Sequence, residues 1–156
     1  MKPTFDIFAL LSTLLLTFPF SLAAKDISKK QMPQPVLEAF EKAYPNAKDI
    51  EYEKEQRDDK TYYEIEYWEN KKQYDILYTP DGVLMEKEEE LALSEVPEAA
   101  VQAVKKEYPR GKLKEAEKVM DAQGNVTGYE IEVKEGKKEW DVYTDVNGKI
   151  IRKEED

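Results

Sequence analysis

The sequence predicts an α+β fold: two tandem units, each one helix plus four antiparallel strands, forming a sheet with both helices on one face. Three observations carry this prediction. The chain repeats itself at an interval of about 65 residues. Each copy opens on apolar residues at helical spacing. Each then runs on in short alternating segments separated by Gly, Asn and Asp turns.

The first segment reads as an export signal. Lys2 precedes an almost wholly apolar run from Ile7 to Phe20, which ends in the small residues of "SLAAKD". A membrane anchor is the competing reading, but a full span takes about 20 apolar residues, and this run closes on a cleavage-like site. Residues 1–24 are expected to be removed, leaving 25–90 as the first repeat and 91–156 as the second.

The repeat is legible residue by residue. Pro33 matches Pro97, Ala39 matches Ala103, and Tyr44-Pro45 matches Tyr108-Pro109, all at an offset of 64. "YEIE" at Tyr63–Glu66 matches "YEIE" at Tyr129–Glu132, and Asp75 and Gly82 match Asp141 and Gly148, at an offset of 66. The two-residue difference falls between Lys48 and Tyr63, where a turn is expected.

Each copy begins with a helix. Val36, Leu37, Phe40 and Tyr44 recur at spacings of three and four, as do Ala100, Val101, Val104 and Tyr108. Pro33 and Pro97 suit a first helical turn. Pro45 and Pro109 push the preceding tyrosine out of helical geometry and stop both helices. The strands expected next are 50–55, "TYYEIEYW", "QYDILY" and "VLMEKE", with second-copy matches near 113–120, 129–133, 140–144 and 149–153.

Two-residue turns at Asn70-Lys71 and Gly136-Lys137 set the hairpin registers. Glu66 then faces Asp75, Tyr67 faces Tyr74 and Ile65 faces Ile76. In the second hairpin Glu132 faces Asp141, Ile131 faces Val142 and Glu130 faces Tyr143. One side of the sheet carries Tyr63, Ile65, Tyr67, Tyr74, Ile76, Tyr129, Ile131, Val133, Trp140 and Val142, and should pack on the helices. The other carries Tyr62, Glu64, Glu66, Trp68, Asp75, Leu77, Glu130, Glu132, Asp141 and Tyr143, and is the candidate binding face.

Composition excludes several activities. The chain has 34 Asp and Glu against 24 Lys and Arg, a net charge of −10 and a pI near 4.7, which argues against nucleic acid and anionic membranes as partners. With no His and no Cys, neither a Ser-His-Asp nor a Cys-His mechanism, nor a His/Cys zinc site, can be built. An exported domain without Cys takes its stability from packing rather than disulfides. There is no Gly-rich phosphate loop, and no cofactor is expected.

A helix with Pro near its start and "YP" at its end, then "YEIE", then a Lys-x-Tyr/Trp-Asp run, then "DG" or "NG", occurs twice in that order. This resembles the PepSY-like domains of the β-lactamase-inhibitor-like group, over both repeats. The resemblance implies an α+β fold, export to the periplasm, no catalysis, and binding or inhibition of another exported protein through the sheet's open face. The inhibitors for which the group is named are disulfide-bonded, and this chain lacks Cys. No residue here matches an inhibitory hairpin loop, so β-lactamase inhibition does not carry over.

Acids facing acids across a sheet are unfavourable by a few tenths to about 1 kcal/mol, so the repeated pairs call for a reason. One is a solvated surface neutralised by Lys72, Lys138 or Arg152. Another is a concave acidic face with aromatics at its rim, awaiting a basic segment of an exported protein. A third is a cation-responsive protein, although calcium takes six to eight oxygens and two carboxylates per hairpin suffice only if the repeats converge. Acid–base chemistry on a glycoside is the least supported, since the carboxylates flank no evident cleft.

Overall fold

The computed structural model describes residues 25–57 and 59–155; the expected export segment, 1–24, lies outside them. Among the described residues there are nine strands and two α-helices. β1 is Lys25–Asp26, followed by a 3₁₀ turn, Lys29–Gln31, and α1, Gln34–Ala43. Then come β2 Lys48–Arg57, β3 Lys60–Glu69, β4 Lys72–Tyr78 and β5 Leu84–Glu90. After α2, Glu98–Glu107, follow β6 Lys112–Asp121, β7 Val126–Glu135, β8 Lys138–Asp145 and β9 Ile150–Glu155.

The strands form one antiparallel sheet in sequence order from β1 to β9. This overturns the expected α+β architecture of two helix-plus-four-strand units. β5 pairs with β6 across the repeat boundary, from Glu86–Asp121 to Glu90–Glu117, so the sheet runs through where two units were expected to meet. Two separate units would each expose an unpaired edge at that point, and pairing β5 with β6 satisfies both. The protein is a single, mostly β, curled half-barrel carrying two short helices.

The curl is visible in one ion pair. β2 and β5 lie three strand spacings apart, about 14 Å in a flat sheet. Yet Arg57 Nη1 on β2 stands 3.1 Å from Glu86 Oε1 on β5. The side away from the helices is therefore concave and folds in on itself.

The helices cover the other side. Pro33 and Pro97 precede the helices in extended conformation as their N-caps, and Tyr44 and Tyr108 are the C-caps, where Pro45 and Pro109 end each run. Val36 and Phe40 of α1 pack with Ile65, Tyr67, Ile76 and Tyr78; Ala100 and Val104 of α2 pack with Ile131, Val133 and Val142. Burying each large apolar side chain contributes about 1.5–3 kcal/mol. The caps Tyr44 and Tyr108 are aromatic packing residues: Tyr44 lies 5.0 Å from Tyr67, and Tyr108 lies 5.7 Å from Trp140.

Both hairpin registers follow the alternation and the turns. Glu66–Asp75, Tyr67–Tyr74, Glu132–Asp141 and Glu130–Tyr143 are direct partners. The first turn places Asn70 at φ 53° and Lys71 at φ 69°, whereas the second uses Gly136 at φ 70°. A left-handed Lys carries a steric cost that Gly lacks. Lys71→Gly should therefore raise stability by about 0.5–1 kcal/mol, read as a shifted urea midpoint with unchanged slope.

Candidate functional site

On the concave side, alternation on every strand brings acids into register with acids. Glu51 faces Glu66 and Glu53 faces Glu64 between β2 and β3. Glu66 faces Asp75 between β3 and β4, and Asp75 faces Glu88 between β4 and β5. Glu117 faces Glu130 between β6 and β7, and Asp141 faces both Glu132 and Glu154 between β7, β8 and β9. The result is an acidic trough across the sheet, built by both repeats.

Its floor is buried. Asp75 and Glu88 are each 8% exposed, and Glu154 is 7% exposed. Where two such carboxyls meet, one must hold a proton for a hydrogen bond to form. Tyr143 donates to Glu130, and shared protons link Glu130 with Glu88, Glu88 with Glu117, and Glu117 with Asp75. The chain of shared protons thus crosses the repeat boundary three times. Burial, then the charges of Glu117 and Glu86, hold Glu88 well above the usual carboxylate range. Burial, then Glu88 and Asp141, do the same to Glu130; burial, then Glu55, do it to Glu64. At the more open Glu66, burial and then Asp75 push the carboxyl up to about 7.

Two arginines temper one end. Arg57 Nε donates to Glu55 Oε2 at 2.6 Å, and its Nη1 to Glu86. Arg152 lies 3.4 Å above the Tyr143 ring, with Nε 3.1 Å from Glu154 Oε1, close enough for an ion pair but not aligned for a hydrogen bond. The lysines expected to neutralise the facing acids turn elsewhere: Lys72 pairs with Glu89 and Lys138 with Glu155.

Two groups of acids bring ligand oxygens within 4.8 Å of one another: Glu53, Glu55 and Glu64, and Asp75, Glu88 and Glu117. The second joins the two repeats. Beside it a cleft of about 170 Å³ is lined by Gln73, Glu117, Glu130, Glu132 and Asp141.

All ten residues expected on the candidate face lie on this side. Glu64, Glu66, Asp75, Glu130, Glu132 and Asp141 form the trough itself. Leu77 and Tyr143 are buried in its floor, Tyr62 faces Glu55 from β3, and Trp68 stands at the rim, 36% exposed. Reading the two hairpins alone missed Glu51, Glu53, Glu55, Glu88, Glu117 and Glu154, the acids of the flanking strands. Their signal was present: Glu88 and Glu154 stand at the 66-residue offset of the repeat.

The comparisons agree with this fold. A family model described as "Putative beta-lactamase-inhibitor-like, PepSY-like" matches twice, over residues 21–86 and 61–152. No curated protein sequence matches the chain. Among solved structures, one of "putative periplasmic proteins" from Bacteroides eggerthii DSM 20697 superposes with a TM-score of 0.60 at 23% identity, covering 80% of this chain and 88% of that one. A DUF2874 family protein from Bacteroides uniformis ATCC 8492 gives 0.58 at 20% identity, covering 79% and 88%. A BLIP-like protein from Bacteroides fragilis NCTC 9343 gives 0.52 at 21%, covering 80% and 86%. At these identities the structures share the fold. The paired family matches, laid over a sheet whose two halves repeat the same acids, place the chain in the PepSY-like, beta-lactamase-inhibitor-like family as a tandem member.

Proposed function

We propose that this protein is an exported, non-catalytic binding module of the periplasm whose acidic trough takes a cationic segment of another exported protein. The observation that carries the reading is the convergence of Asp75 and Glu88 from the first repeat with Glu117 and Glu130 from the second. In the free protein these acids meet through protons. A Lys or Arg side chain entering the trough would replace protons by charge-assisted hydrogen bonds, which are roughly twice as strong as neutral ones. Export is supported by the signal-like segment at 1–24 and by the description of the B. eggerthii relative as periplasmic. The absence of His and Cys supports a non-catalytic role.

One observation favours a second reading, a divalent cation. Oxygens on opposite sides of one calcium ion lie about 5 Å apart, from Ca–O distances of about 2.3–2.6 Å. The 4.8 Å limit on Asp75, Glu88 and Glu117 lets a single ion touch all three.

Melting curves at pH 7.5 and low salt separate the readings. A pentalysine peptide should raise the melting temperature of the wild type by mass action. The effect should fade at high salt and vanish in Glu88→Gln with Glu117→Gln. A rise with millimolar calcium chloride and none with peptide assigns the trough to the cation. No response to either contradicts both.

A further inference from the structure

A cavity of different character borders the trough. It has a volume of about 290 Å³ and is lined by Val119, Thr127, Tyr143, Ile151, Glu86 and Arg152, among others. It adjoins the acids directly, since the wall residue Tyr143 donates to Glu130 and the wall residue Glu86 holds Arg57. Its own charges are matched inside the protein: Glu86 by Arg57, and Arg152 by Glu154 and the Tyr143 ring. What the cavity offers a ligand is therefore apolar surface. Ile151 at its edge is 62% exposed. Met85, which stands at the corresponding repeat position and precedes Glu86, is 43% exposed. A large exposed apolar side chain at a cavity's edge, as Ile151 is, is an interface feature.

We infer that this cavity is a second subsite that receives one large apolar side chain, aromatic or branched aliphatic, from the same segment whose basic residues enter the trough. The inference rests on the reading of the trough as a cationic-segment site and narrows the partner to a basic segment with an apolar anchor. The two subsites divide the work chemically. The trough holds a surplus of carboxylates and attracts charge at long range. The cavity, with its charges compensated, adds apolar burial and discriminates between basic sequences that the trough alone would treat alike.

The test uses the whole chain and four acetylated, amidated probes. Lys-Lys-Lys-Gly-Phe and Phe-Gly-Lys-Lys-Lys carry the anchor in either direction; Lys-Lys-Lys-Gly-Gly and Gly-Gly-Lys-Lys-Lys lack it. One of the Phe probes should bind about tenfold to a hundredfold more tightly than its Gly counterpart, the range for burying a Phe side chain. Ile151→Ser, a change at an exposed position, should erase that ratio while leaving the Gly probes' affinity unchanged. Glu88→Gln with Glu117→Gln should weaken Phe and Gly probes alike and keep the ratio. In methyl NMR spectra, Val119 and Ile151 signals should move with the tight Phe probe and stay with its Gly counterpart. Equal binding of Phe and Gly probes overturns the subsite and leaves the trough reading standing. A Phe advantage that survives Ile151→Ser, or that leaves the Val119 methyls unmoved, also overturns it. Failure of all four probes to bind removes the trough reading and the subsite with it.

Discussion

The protein should melt at a higher temperature at pH 5 than at pH 8. The carboxyls of Glu64, Glu66, Glu88 and Glu130 are all raised in the folded state. In the unfolded chain a Glu gives up its proton near 4.5. Above that pH the folded state binds more protons than the unfolded state, so stability falls as pH rises. The loss begins near 4.5, continues through about 7 where Glu66 ionises, and goes on above it for the more deeply buried acids. Glu89 works the other way: its hydrogen bonds to Lys72 and Lys118 lower its value, and its contribution is lost on acidification below the usual carboxylate range. The optimum should therefore lie near pH 4.5–5. Glu88→Gln, which stays neutral at every pH, should flatten the profile. A melting temperature that is level or rising from pH 5 to pH 8 would mean that the trough acids are ionised and solvated in the folded protein.

The second large effect is expected at Gly148. It lies at φ +82° in the β8–β9 turn, and an added Cβ would stand 2.5 Å from the Ala99 carbonyl carbon and 2.7 Å from its oxygen. The obstacle is helix backbone, which cannot swing aside. Gly82 meets Pro35 in the same way in the first repeat, with 2.6 Å to the carbonyl oxygen. Gly124 provides the control. It has φ +81° in a turn of matching hydrogen bonding around Asp121, with nothing within 4 Å of the added carbon. Gly124→Ala should cost about 1 kcal/mol, for the left-handed conformation alone. Gly148→Ala should cost about 3 kcal/mol, because the helix must also shift, a loss of roughly 10 °C. Equal losses for the two variants would show that α2 does not bear on the turn.

The elements set by neighbours in the chain were legible from residue types. Val36, Phe40 and Tyr44 at helical spacing mark α1, and Tyr44-Pro45 marks its end. Asn70-Lys71 and Gly136-Lys137 turn within two residues, so the register of everything beyond them follows by counting. Period-two alternation then assigns Ile65 to the core and Glu66 to the opposite side. These are short-range consequences of sterics and turn geometry.

The sequence by itself determined the duplication, the hairpin registers, the side on which each residue of those hairpins lies, and the stacking of acid on acid. Only the tertiary structure decided that β5 joins β6, since α2 intervenes between them and no local turn dictates that pairing. The same pairing made the nine strands one continuous curled sheet in place of two helix-plus-four-strand units. Its curl then brought Arg57 to Glu86 and drew acids of both repeats into one buried trough. Facing carboxylates read from a hairpin are tolerable when solvated. Closure of the sheet removes the water, and with it the shielding, so a local oddity becomes a group of acids that must hold protons or meet a cation.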